Sequence, residues 1–130
     1  MKYLLFIAVI TCYVTGCKKD GQVSTDITGT WELRNYSGTI AGVNKNYPKG
    51  NGSLMQFNAD GSYASFVNFQ PNIQGKYRIV KDAVQWAGQT YDGIYYNDNS
   101  NVDFMLLKAD TLTIGNTFPD GVTQVYVRQK

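Results

Sequence analysis

The sequence predicts an all-β domain: eight antiparallel strands in up-and-down order, closed into a barrel, behind a removable leader and a short tether. Three observations carry that expectation. No apolar residues recur at helical spacing from Thr28 onward; short runs rich in Tyr, Val, Phe, Thr and Ile alternate apolar with polar; and Gly, Asn, Asp and Pro cluster between the runs. The chain has 130 residues, the length of one domain.

The expected strands are 29–37, 52–58, 62–69, 75–80, 83–90, 101–107, 111–118 and 122–129. Alternation puts Trp31 and Leu33 on one face of the first, with Thr30, Glu32 and Arg34 on the other. Ala59-Asp60-Gly61 suits a three-residue hairpin loop closed by a left-handed glycine, and sets Phe57 opposite Tyr63. Pro119-Asp120-Gly121 follows the same logic and sets Phe118 opposite Val122. Lys81-Asp82 reads as a two-residue turn, with Ile79 opposite Val84 and Tyr77 opposite Trp86. The turn at Lys108-Ala109-Asp110 allows two registers, one with Phe104 and Leu106 inside, the other with Met105 and Leu107. The last strand turns Val122, Tyr126 and Arg128 inward. No link is long enough for a crossover helix, so neighbours in sequence pair as antiparallel neighbours in space. Closure into a barrel removes exposed sheet edges; two packed four-stranded sheets are the alternative.

Ahead of the domain, Tyr3–Val14 is almost wholly apolar behind the single charge of Lys2. It is too short to span a bilayer, which takes about 20 residues, and has the pattern of a secretory leader. Val14-Thr15-Gly16-Cys17 ends it with an aliphatic residue, two small residues and a cysteine. This resembles the lipobox of bacterial lipoproteins. The resemblance implies cleavage before Cys17, lipid on Cys17, and a Gram-negative cell-envelope location at the outer membrane. Residues 1–16 are then the removed signal peptide, 17–27 the lipid anchor and tether, and 28–130 the domain. Cys12 leaves with the leader, so no disulfide or free thiol is expected in the mature chain. Losing Lys2 takes the net charge from +2 to +1, with no basic stripe of the kind nucleic acid requires. The membrane, through the lipid on Cys17, is the expected partner.

Gly29-Thr30-Trp31 opens the first strand and Tyr126-Val127-Arg128 closes the last. Between them come Phe57-Asn58-Ala59-Asp60-Gly61-Ser62-Tyr63, Gly75-Lys76-Tyr77 and Asp110-Thr111-Leu112-Thr113-Ile114. Together these resemble the small lipocalin-like (calycin) domains of bacterial lipoproteins, over residues 28–129. The resemblance implies that the arginine stacks on the tryptophan at the closed end, making Gly29, Trp31 and Arg128 a structural motif. It also implies that the loop after the first strand, residues 38–51, lies over the open end.

The expected inner aromatic set is Phe57, Tyr63, Tyr77, Trp86, Phe104, Phe118 and Tyr126. Tyr63, Tyr77, Trp86, Phe104, Asn116 and Tyr126 are the candidate contacts for a small apolar or amphipathic ligand. The same side chains equally suit a filled core, because eight-stranded barrels are just wide enough for either. A filled barrel would leave binding of a protein or glycan to loops, above all the polar segment 92–101. Asp92, Asp98 and Asp103 match no EF-hand spacing. The chain has no histidine, no Gly-x-Ser-x-Gly elbow and no glycine-rich phosphate loop. A non-enzymatic protein without metal or cofactor is therefore expected.

Overall fold

The computed structural model describes residues 26–38 and 42–130. The leader, Cys17 and most of the tether lie outside the described residues. The described residues form nine strands: β1 (Gly29–Gly38), β2 (Val43–Asn46), β3 (Leu54–Phe57), β4 (Ser62–Val67), β5 (Gln70–Trp86), β6 (Gln89–Tyr96), β7 (Asp103–Lys108), β8 (Thr111–Gly115) and β9 (Val122–Arg128). All pairings are antiparallel. From β3 to β9 each strand pairs with the next, and β1 pairs with both β3 and β9. The result is the expected closed, eight-stranded up-and-down barrel, with β2 as one additional strand.

Closure is staggered. The start of β1 pairs with β3, Trp31 opposite Met55, while Asn35–Gly38 pair on the same edge with β2. The other edge of β1 runs along β9 from Trp31↔Arg128 to Gly38↔Val122. The upper part of β5 pairs with β4, and its lower part with β6. Such a stagger is what tilts strands enough to close a barrel.

The expected loop at 59–61 forms. Gly61 has φ 78°, its N–H donates to Asn58 O (3.1 Å), and Asn58 N–H donates to Ser62 O (2.9 Å). Phe57 faces Tyr63 in register. Asp60 caps the loop through Ser62 N–H and hydroxyl, which holds its carboxyl below the ordinary value. The last loop differs. Asn116 N–H donates to Val122 O (3.1 Å), so the loop takes in Thr117 and Phe118, and Phe118 is 61% exposed instead of inward-facing.

The middle of the chain departs most from expectation. Lys81-Asp82 is not a hairpin turn; it is a bulge inside one long strand, with Asp82 at φ 54° and the register shifting between Val80 and Val84. The turns fall instead at Asn68-Phe69 (φ 50° and 63°) and Ala87-Gly88 (φ 50° and 77°). Both central residues are left-handed in each, as two-residue hairpins prefer because that twist matches the strands. The pairs become Tyr77↔Tyr96, Ile79↔Ile94 and Val84↔Tyr91. Half of the segment expected as a polar loop, 92–96, is therefore strand.

The core holds Ile27, Trp31, Leu33, Phe57, Tyr63, Ile94, Met105, Leu112, Ile114 and Tyr126. Met105 and Leu107 face it, which settles the β7–β8 register. Trp31 is fully buried and donates its indole N–H to Ile27 O (2.7 Å). The Arg128 guanidinium lies 4.2 Å from the Trp31 ring centre and donates to Thr28 O (2.6 Å) and Asp26 O (3.3 Å). One side chain thus ties the last strand, the first strand and the segment before it. A Cβ at Gly29, whose φ is 129°, would come within 3.0 Å of that guanidinium.

Arg128→Ala is expected to cost about 2 kcal/mol, from the lost cation–π contact and two carbonyl bonds. Arg128→Lys should recover only part of it, lacking the planar fork. Urea denaturation measures both, and an unchanged midpoint for the alanine variant would refute the role.

Candidate functional site

Register and alternation sort the aromatic side chains into two groups. Tyr63, Tyr77, Tyr96 and Tyr126 share the inner face with Phe57 and Trp31. Trp86 and Phe104 lie on the outer face, contrary to expectation. Phe104 sits next to inward-facing Met105 on β7, and the Val80–Val84 bulge puts Val84 and Trp86 opposite Tyr91 and Gln89, outward of Ile94. Outside, Trp86 stacks on Phe104 (4.9 Å, 11° between planes) with Tyr91 alongside at 5.3 Å. Phe104 is buried even there. Its cross-strand partners are Gly93 and Gly115, and a Cβ at Gly115 would come within 2.7 Å of the ring. The missing side chains let the ring lie flat on the sheet.

Asn116 does not offer its amide to the interior. Its Oδ1 accepts Phe118 N–H (3.3 Å) and holds the 117–121 loop. Tyr77 points inward, but its hydroxyl donates to Asn58 O (3.0 Å) at the turn beside the Arg128 end. Of the six candidate ligand contacts, Tyr63 and Tyr126 are thus left as inner side chains with free hydroxyls.

Two further residues join them. Tyr96 is the last residue of β6 and Asp103 the first of β7, and both face inward, as Ile94↔Asp103 requires. The stagger of the barrel brings Tyr63 from β4 against Tyr96, ring centres 4.9 Å apart and edge to face. Tyr63 and Tyr126 are 7% and 4% exposed. The hydroxyls of Tyr63, Tyr96 and Tyr126 make no hydrogen bond among the described residues, and Asp103 makes neither a hydrogen bond nor an ion pair there. Among the described residues, Arg34 Nε is the sole side-chain nitrogen or oxygen both sealed from solvent and unpartnered. The tyrosine hydroxyls therefore touch space large enough for water. Burial raises the pKa of Tyr96 and Tyr126, and the nearby Tyr126, Asp103 and Tyr63 raise Tyr96 further. Burial also raises Asp103 above the ordinary 3.8. Tyr96 went unread in the sequence because 92–101 looked like loop; Asp103 fell in the expected strand 101–107, whose two open registers left its face undecided.

The segment after β2 is fixed by a carboxylate that alternation puts on the face opposite Trp31 and Leu33. Glu32 is on the outer face, yet 1% exposed. Its Oε1 accepts Gly50 N–H (2.7 Å) and Asn51 N–H (3.1 Å); its Oε2 accepts Gln129 Nε2 (3.0 Å) and pairs with Arg34 (3.1 Å). Asn51 bonds back to Leu33 O and Pro48 O. Phe69 N–H donates to Gly52 O (2.9 Å). Together with β2, these bonds fasten 42–53 to the barrel wall.

Clefts open on the surface of the described residues. One, of about 470 Å³, lies over Lys76, Tyr77, Arg78 and Asn97–Ser100; another, of about 380 Å³, runs along the β4–β5 hairpin from Ala64 to Gln74. The hairpin tip exposes Val67, Phe69 and Ile73. Among the described residues, no group of three or more His, Cys, Asp or Glu side chains is placed to hold a metal. Nor is any helix there long and apolar enough to cross a membrane.

Glu32→Ala should cost about 3 kcal/mol, because it strands Arg34 and two amides. Hydrogen exchange should show Gly50 and Asn51 losing protection first; protection equal to that of the parent would count against the anchor. Asp103 behaves oppositely. Its raised pKa means the folded state holds the proton more tightly than the unfolded chain. Its contribution to stability is full below the unfolded pKa and lost as pH rises through the folded one. Asp103→Asn should raise the melting temperature at pH 7, with the gain vanishing below about pH 3.8. An equal gain at both pH values would contradict the burial of this carboxyl.

No protein family, curated protein or solved structure matches the chain.

Proposed function

We propose that the barrel binds a small amphipathic molecule, its apolar part on the Trp31–Met105–Leu112 floor and its polar part at the tyrosine group. The observation that carries this reading is the set of three inner hydroxyls, on Tyr63, Tyr96 and Tyr126, with no hydrogen bond among the described residues. These hydroxyls open onto water-sized space instead of pairing within the core, so they line the interior as polar groups that a ligand can engage. Pockets for small ligands combine apolar walls with a few such groups. The closed barrel and the Trp31–Arg128 end support a lipocalin-like reading of the protein. The leader with Cys17 supports a lipid-anchored, non-enzymatic protein of the Gram-negative outer membrane, joined to it through lipid on Cys17.

The second reading is a filled barrel that binds a protein or glycan by its surface. The exposed Val67, Phe69 and Ile73 on one hairpin tip favour it.

Native mass spectrometry of the purified chain, with tryptophan fluorescence during titration with a mixed lipid extract, separates the two. Binding inside the barrel predicts a co-purified small molecule or a saturable change in emission that persists in Trp86→Phe, because Trp31 is the inner reporter. A clean apo mass with flat emission would refute the barrel site and favour the second reading.

A further inference from the structure

The inner polar group has a definite chemical preference. Asp103 is the carboxylate among it, and Arg128, the next inner position after Tyr126 on β9, is committed to Trp31, Thr28 O and Asp26 O. The described ion pairs involve Glu32 with Arg34 and Lys130 with Asp110, so no described cation serves Asp103. Around it stand aromatic rings. Tyr63 and Tyr96 meet edge to face at 4.9 Å, and Tyr96 lies one pleat beyond Ile94, the direct partner of Asp103. Tyr126 closes the group from β9, 4% exposed and with its hydroxyl unbonded among the described residues. Tyrosine hydroxyls also accept hydrogen bonds, and ring faces carry negative potential.

The group combines one carboxylate and three hydroxyls with three tyrosine rings, and no described cation. An anionic head would meet Asp103 without a compensating cation. A neutral alcohol would satisfy the hydroxyls and leave the carboxylate partly desolvated and unpaired, which is costly. An ammonium supplies both the missing countercharge and a partner for the rings, and aromatic groups around a carboxylate are a recurrent answer to organic cations.

We infer that the barrel selects amphipathic organic cations, the ammonium head lodging between Asp103 and the rings of Tyr63, Tyr96 and Tyr126. This rests on the reading of the barrel as a binding site and adds the ligand class.

The test uses the full chain in lipid nanodiscs, with empty nanodiscs as the blank. Hexyltrimethylammonium, hexanol and hexanoate are titrated by calorimetry. The cation should bind at least ten-fold more tightly than the alcohol or the acid, and Asp103→Asn should remove that preference, weakening cation binding while hexanol, relieved of the unpaired carboxylate, binds more tightly. Asp120→Asn, the same charge change on the 117–121 loop, should preserve it. Tyr96→Phe keeps the ring, so it should retain most of the preference for a quaternary head that needs no hydroxyl. Hexanol and hexanoate binding as well as the cation would overturn the inference and leave the binding barrel standing. Cation preference that survives Asp103→Asn would overturn the assigned residue and with it the inference. Heat from none of the three probes above the blank would overturn both the inference and the barrel site.

Discussion

Closure of β1 against β9 is the constraint on which the rest of the structure depends. A meander of antiparallel strands leaves two unpaired edges, and here the first and last strands satisfy each other from Trp31↔Arg128 to Gly38↔Val122. The Arg128 guanidinium fixes where that seam begins. It lies on the Trp31 ring and takes the carbonyls of Thr28 and Asp26, so the start of the sheet and the segment before it are held by one side chain. Because the side-chain period along a strand is two, a one-residue slip at the seam would exchange Leu33 and Tyr126 for Glu32 and Val127 on the inner face. The same contact that closes the barrel therefore decides which face every later strand presents.

Glu32 shows how one strand serves both ends. Its inward neighbours Trp31 and Leu33 build the floor, while Glu32 itself turns outward and becomes buried because the 47–53 segment folds over it. Two backbone N–H groups, an amide and a guanidinium satisfy the carboxylate. A buried charge is tolerable only with such partners. The contrast with Asp103 is informative: one carboxylate is saturated and structural, the other has no described partner and faces the interior.

The parts of the fold legible in the sequence are those fixed by local chemistry. Glycine in the left-handed region at 61 dictates a three-residue loop, and the Phe57–Tyr63 register follows from it. Gly29-Thr30-Trp31 and Arg128 are recognisable as a frame because their chemistry is uncommon. What was not legible depends on residues in conformations their side chains disfavour. Asn68-Phe69 and Ala87-Gly88 form two-residue turns although Phe69 and Ala87 carry side chains at φ 63° and 50°. Asp82, at φ 54°, resembles a turn residue in sequence but acts as a bulge inside β5, with its N–H donated to Asp92 (3.0 Å). That single bulge moves Trp86 to the outer face, and misreading it carries 92–96 from strand to loop. The error then hides Tyr96, because inner and outer faces cannot be assigned to a segment taken as irregular, while the face of Asp103 stays undecided between the two registers open to 101–107.

The two aromatic groups on either side of the wall show what separates packing from a site. Outside, Phe104 is buried because Gly93 and Gly115 leave room for it and Trp86 covers it; of the polar atoms there, the Tyr91 hydroxyl donates to Gln89 and the Trp86 indole N–H belongs to a ring 41% exposed to solvent. Each polar group there is bonded or on an exposed side chain, and the cluster explains itself as sheet covering. Inside, Tyr77 is accounted for in the same way through Asn58 O. Tyr63, Tyr96, Tyr126 and Asp103 are not. Phenylalanine at the three tyrosine positions would fill nearly the same volume without hydroxyls to desolvate, and asparagine at 103 would avoid burying a charge. Stability alone gives no reason for these four choices together, whereas recognition of a molecule that complements oxygen lone pairs, ring faces and a carboxylate gives one reason for all of them.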